Sequence, residues 1–140
     1  MRKRAQTILA AAAVLTGLTL SVGATGASAA TPQNVKFFWT GTGGSFQGIG
    51  IYVNGKHSGE VYWHPNGDTL EAVDVNGDGF GVYGYLGTSP VRELSTYGHK
   101  APYRTTKGGN LPENHTYTFW ACIGTDTGGL VCSDIYKVKS

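Results

Sequence analysis

Apolar and polar residues alternate in short runs along most of this chain, and glycine, asparagine and aspartate gather in the breaks between the runs. A two-residue period predicts β-strands with one buried face. The clearest run is 116–123, where Tyr117, Phe119, Ala121 and Ile123 share one face and Thr118, Trp120 and Cys122 the other. Large residues on both faces predict a central strand with cover on both sides. Residues 130–138 answer it after the turn Thr125-Asp126-Thr127-Gly128-Gly129. Runs 49–53 and 59–64 flank Asn54-Gly55, a dipeptide that accepts the positive φ angles of a tight hairpin. Runs 69–73 and 80–86 flank a second turn, Asp74-Val75-Asn76-Gly77-Asp78-Gly79, which reads as another hairpin.

Residues 35–40, with Phe37, Phe38 and Trp39, predict a first strand, and Thr42-Gly43-Gly44-Ser45 a flexible connection after it. Residues 87–100 read as irregular. Residues 103–106 read as a short edge strand, because Pro102 cannot donate to a ladder. Beyond residue 29 no window repeats apolar residues at helical spacing over three turns. The pattern predicts an all-β fold, an immunoglobulin- or fibronectin-III-like β-sandwich of about seven strands. A closed barrel and a crystallin-like Greek key stay open on periodicity alone.

Residues 1–29 break the alternation. Arg2, Lys3 and Arg4 precede an uncharged apolar run over residues 8–20, and Ala27-Ser28-Ala29 fits the small-residue pattern of signal-peptide cleavage. That run is shorter than the ~20 residues a membrane-spanning helix needs. The expected organisation is a secretory leader over 1–29 and one domain over 30–140, secreted to the extracellular space. The leader takes three of the eleven Lys and Arg residues and none of the nine Asp and Glu, so the formal charge falls from +2 to −1 on its removal. No basic stripe is left to displace counterions from nucleic acid or to hold an anionic membrane. Cys122 and Cys132 are the only cysteines. An oxidising compartment predicts a structural disulfide between them.

Two resemblances sharpen the fold. Leu111-Pro112-Glu113-Asn114-His115-Thr116-Tyr117 resembles the approach to the sixth strand of fibronectin type III domains, in which the tyrosine hydroxyl reaches back to the preceding turn. Asn66-Gly67-Asp68-Thr69-Leu70, Val73-Asp74, Asp78-Gly79 and then the two cysteines are similar to a group of small secreted, single-disulfide, immunoglobulin-like proteins of actinobacteria. That resemblance implies compartment and fold. Some small exported proteins of those bacteria are adaptor subunits of secreted toxin particles, which makes an adaptor role one expectation.

Candidate chemistry is sparse. Asp74, Asn76 and Asp78 fit the front half of a calcium loop, with alternate oxygen ligands, but Tyr85 stands where the bidentate glutamate belongs. Asp68 is the nearest substitute. The same residues also suit a plain turn, because they tolerate left-handed backbone angles, so no cofactor is expected beyond that calcium. His57 and His64 are an odd number of residues apart, which in a regular strand puts them on opposite faces. His99 and His115 fall in loops. No nucleophile–base motif stands out, and both cysteines are used in the disulfide, so a non-catalytic protein is expected.

Sixteen aromatic residues exceed what so small a core absorbs, and exposed ones suit protein or carbohydrate partners. The candidate contacts are Phe37 and Trp39, which would fill pockets if the first strand added to another protein's sheet, together with Tyr83, Tyr85, Tyr97, Tyr103 and Tyr136. The expected function is a secreted binding or adaptor domain for another secreted protein. A secreted effector is the alternative: a toxin component, a bacteriocin, or an enzyme inhibitor presenting residues 87–107 as a loop.

Overall fold

The alternating runs fold as β1 (Val35–Trp39), β2 (Gln47–Val53), β3 (Lys56–His64), β4 (Thr69–Asp74) and β5 (Gly81–Leu86). They continue as β6 (Arg92–Ser95), β7 (Tyr103–Lys107), β8 (Thr116–Thr125), β9 (Gly129–Cys132) and β10 (Tyr136–Lys139). This computed structural model describes residues 30–41 and 46–140, so the expected leader and the connection at 42–45 lie outside the described residues. The strands form two antiparallel sheets, ordered β1-β2-β3-β4-β7 and β10-β8-β5-β6, with β9 also paired to β8. The fold is an all-β sandwich.

The strand count, ten among the described residues against about seven expected, has local causes. Segment 87–100 contains β6, paired with β5 from Tyr83–Ser95 to Leu86–Arg92. The final run divides at a bulge: Cys132 pairs with Cys122 but Tyr136 pairs with Phe119, so one extra residue sits on the β9–β10 side. Ser133 bridges the gap. Its N–H donates to the Ala121 carbonyl at 2.8 Å, and its Oγ accepts the Ala121 N–H at 3.1 Å. The turn after β4 is not a hairpin, because β4 and β5 lie in different sheets. The chain crosses the sandwich there.

The Asn54-Gly55 turn does form the expected hairpin, with φ of 51° and 79°. Beyond it the two-residue period sorts the side chains. Ile49, Ile51, Val61, Trp63, Leu70 and Ala72 point inward from the first sheet, and Val82, Leu86, Phe119, Ala121 and Ile123 meet them from the second. Two glycines let the sheets close. A Cβ on Gly59 would stand 2.5 Å from Val82 Cγ2, and one on Gly84 2.7 Å from Val61 Cγ1. Trp63 ties the layers through its indole N–H, which donates to the Lys139 carbonyl at 2.8 Å. At one open side Trp39 stacks on Tyr136, with ring centroids 4.4 Å apart and planes 6° from parallel.

Strand β8 is central, with β5 on one side and β9 and β10 on the other. Among the described residues its second face is not covered by another layer, contrary to expectation. Trp120 lies on the outside of the sheet and is covered by Tyr85, stacked at 5.1 Å. Leu111 and Tyr117 both pack against the core. Among the described residues the Tyr117 hydroxyl makes no hydrogen bond to the preceding turn, so the expected tyrosine reach-back is absent there.

The disulfide joins Cys122 and Cys132 directly across the β8–β9 ladder. It closes a loop of sequence separation 10, next to the Ser133 bulge. Replacing both cysteines with alanine is expected to cost about 2–3 kcal/mol in urea denaturation. Unchanged stability would show that the bond adds nothing to a hairpin already formed. Gly84→Ala, forced into Val61 across the core, is expected to cost about 1–3 kcal/mol in the same measurement.

Candidate binding faces

The outer face of the first sheet is built by residues that alternate with its buried rows. In register across the strands, Phe38 of β1, Gly50 of β2 and Glu60 of β3 form one row. Lys36, Tyr52 and His57 form the next. His57 belongs here because Ser58 is an extra residue in β3: Ile51 pairs with Gly59 but Tyr52 pairs with His57. The bulge resets the alternation, so His57 and His64 share the outer face instead of taking opposite ones. Ser58 itself turns inward and donates its hydroxyl to Asp78 at 2.8 Å.

Gly50 leaves the floor of this face without a side chain. A hollow of about 480 Å³ opens above it, walled by Phe38, Tyr52, His57 and Glu60. Phe38 meets Tyr52 edge-on at 5.3 Å and 80°. A second hollow of about 230 Å³ lies beside Phe46, Tyr62, His64, Glu71 and Arg104. There Glu71 is only 6% exposed, although it points away from the core. One carboxylate oxygen lies 2.7 Å from His64 Nε2, and the other 2.6 Å from the Arg104 guanidinium, near it but out of line for a hydrogen bond. Phe46 stands edge-on to Tyr62 at 5.6 Å and 86°. Phe38 and Phe46 are both 51% exposed.

The residues expected to bind a partner lie elsewhere. Phe37 and Trp39 point inward and pack against the core, Trp39 beside Phe119 and Tyr136. Tyr83, Tyr85 and Tyr97 gather on the outer face of the second sheet. Tyr83 is buried beneath Tyr97 and donates its hydroxyl to Asp126 at 2.6 Å. A hollow of about 280 Å³ separates Tyr83 and Tyr85 from Glu93 and Lys107. Tyr103 stacks on His99 at 3.9 Å. Segment 87–107 is held at both ends by β6 and β7, not presented as one long free loop.

In the aspartate turn, Asp74 Oδ1 accepts the Asn76 N–H at 3.1 Å. Asp78 accepts from Ser58 and the Asn76 amide through Oδ2, and from the Phe80 N–H through Oδ1. These are bonds that hold a turn. Asp68 cannot join the group, because it precedes β4 and Asp74 ends it, roughly 20 Å apart at strand rise. Asp68 instead accepts the Leu111 N–H at 2.7 Å. Among the described residues no three His, Cys, Asp or Glu side chains are placed to share a metal ion.

Sequence reasoning missed Phe38, Phe46, Tyr52, Tyr62, Glu71 and Arg104. The signal for most was parity: Phe38 alternates with Phe37 and Trp39, Tyr52 with Ile51 and Val53, and Tyr62 with Val61 and Trp63. Large rings standing off the aliphatic rows belong on the outside.

Burial, followed by the neighbouring Glu60 carboxylate for Tyr62 and the hydrogen bond to Asp126 for Tyr83, pushes both hydroxyls well above the ordinary tyrosine range. Burial also raises Tyr85. A raised folded-state value for an acid means that the unfolded chain releases these protons first as pH rises, so stability falls above about pH 10. Tyr62→Phe and Tyr83→Phe are each expected to flatten that alkaline loss in melts between pH 9 and about 11. An unchanged pH slope in both would contradict the burial argument. No protein family, curated protein or solved structure matches this chain.

Proposed function

We propose that this chain is an exported, non-catalytic binding domain that docks another secreted protein on the outer face of its first sheet. The carrying observation is the pair of half-exposed phenyl rings, Phe38 and Phe46, set beside two hollows and among Lys36, Glu60, His64 and Arg104. Apolar anchors within a charged surround are the composition of a protein interface. A carbohydrate is the weaker fit. On this face Phe38 and Tyr52, and likewise Phe46 and Tyr62, meet edge-on and form no flat platform, while Tyr85 and Trp120 cover each other's faces on the second sheet.

Among the described residues β1 has an unpaired edge, and it borders the same face. Its N–H and C=O groups offer a partner strand a place to add, an addition that leaves Phe37 and Trp39 where they pack. This differs from β1 leaving its sheet, which would uncover Trp39, Phe119 and Tyr136.

Strand order supports an immunoglobulin-like ancestry. With β9 and β10 taken as one interrupted strand, β3, β4 and β7 face β6, β5, β8 and β9–β10, the division of A, B and E against C, F and G with an added C′. β1 and β2 then extend the A edge. The expected leader and the disulfide support export. An adaptor within an extracellular assembly fits these features, and the effector alternative loses its proposed inhibitory loop to β6 and β7.

Tagged wild-type protein and Phe38→Ser/Phe46→Ser variants recovered from native culture medium provide the test. Both residues are exposed, so the variants are expected to fold with unchanged melting temperature. A larger exported protein should co-purify with wild type and be lost from the variants, with cross-links mapping to β1–β3. Equal recovery from both proteins, or a lone wild-type monomer, would overturn the proposal.

A further inference from the structure

Asp74 ends the core-facing row of β4. Leu70 and Ala72 precede it at two-residue spacing and are fully buried, and Asp74 is itself 3% exposed. A position that takes an apolar side chain elsewhere in the row holds a carboxylate. Its Oδ1 accepts the Asn76 N–H. Among the described residues, its other oxygen has no donor and no lysine, arginine or histidine pairs with it. Buried charges are ordinarily paired.

This carboxylate lines a pocket of about 380 Å³ between the β4–β5 turn and the β6–β7 loop. Phe80, Tyr97 and His99 are among its lining residues, and the His99 ring is braced by its stack on Tyr103. The volume lies at the low end of small-ligand pockets, far larger than a bare ion needs. Aromatic walls around a carboxylate attract an organic cation, through ring faces and through charge. A metal ion is disfavoured, since Asp78 spends both oxygens within the turn.

We propose that this pocket binds an alkylguanidinium or alkylammonium group, with the Asp74 carboxylate as its counter-ion and Phe80, Tyr97 and His99 as its walls. The site lies at the end of the sandwich, apart from the face assigned to the protein partner. Lys100, exposed on the rim, is the internal competitor. Burial raises Asp74 above the ordinary carboxylate range, its bond from Asn76 opposes this, and the like charge of Asp78 adds to it. An empty pocket thus carries a charge that weakens the fold, and a bound cation relieves it. The linkage sign follows: stability falls as pH rises through the interval between the unfolded and the raised folded value. Asp78, His99, Lys100 and Tyr97 are the other titratable groups around the pocket and set the background for that slope.

The test is a titration of the folded protein at neutral pH followed by amide NMR. Its probes are methylguanidinium, an acetylated Gly-Arg-Gly amide, its citrulline counterpart and calcium chloride. Saturable shifts confined to residues 74–80 and 97–101 are expected with the two guanidinium probes. Tighter binding of the peptide than of methylguanidinium assigns the natural source to a side chain, and equal binding to a free small cation. Asp74→Asn keeps the turn acceptor and removes the charge, so it is expected to melt no lower than wild type and to bind about tenfold more weakly. Lys100→Gln is expected to bind more tightly. Three results would each overturn the proposal: no shifts up to about 20 mM probe, equal affinity for the citrulline peptide or in Asp74→Asn, or shifts with calcium and none with either guanidinium.

Discussion

Burial of Ile49, Ile51, Val61 and Trp63 against Val82, Phe119, Ala121 and Ile123 holds the two sheets together, and strand geometry makes that burial dictate the outside as well. Side chains alternate, so every inward aliphatic commits its neighbours to an outer face. Isoleucine at 49 and 51 leaves Gly50 outside, and valine and tryptophan at 61 and 63 leave Tyr62 and His64 outside. Gly50 is therefore the missing tooth in a row between Phe38 and Glu60, and the larger hollow is the space it leaves. The proposed binding face needs no loop of its own. It is the reverse side of the core.

That dependence explains what was legible in the sequence. Alternation located nearly every strand, Asn54-Gly55 located its hairpin, and two cysteines in an otherwise cysteine-free chain located the disulfide. Pro102 located an edge: β7 borders the first sheet. Two of the misses share a cause, an interruption of the period that composition does not mark. Ser58 is one residue too many in β3, and counting across it sends His57 to the wrong face. Ser133 does the same between β9 and β10, and hides the break because its own hydroxyl replaces the lost ladder acceptor. The turn Asp74–Gly79 has hairpin composition but spans the two layers, because pairing partners are chosen by long-range packing and not by the turn. For the candidate aromatics, abundance showed only that some rings must be exposed, and register shows that Phe37 and Trp39 face inward instead.

β1 shows how far one strand's two faces can serve different ends. Phe37 and Trp39 close the sandwich on the inside, with Trp39 lying flat on Tyr136 of the opposite sheet. Phe38, between them, is half exposed on the outside. Releasing the strand would cost the seal between the sheets, whereas adding a strand to its free edge costs nothing in the core. Energetics thus favour a partner that extends this sheet over one that receives β1, and the exposed Phe38 lies where such a partner would cross onto the face.

Three nearly buried carboxylates are met in three ways. Glu71 sits between His64 and Arg104, so its charge is answered on the spot. Asp68 receives the Leu111 N–H and lies beside Arg92, whose guanidinium donates to the Asp68 carbonyl, so it fastens the segment before β8 onto the β3–β4 turn. Asp74 receives one backbone N–H, has a like charge two turn residues beyond Asn76, and faces a ring-walled pocket. Turn formation alone does not require a charge there, since an asparagine oxygen accepts the same bond. Among the described residues Asp68 has no ion-pair partner and its Oδ1 is buried without a donor, so what sets Asp74 apart is the pocket it lines, where a ligand would supply the partner.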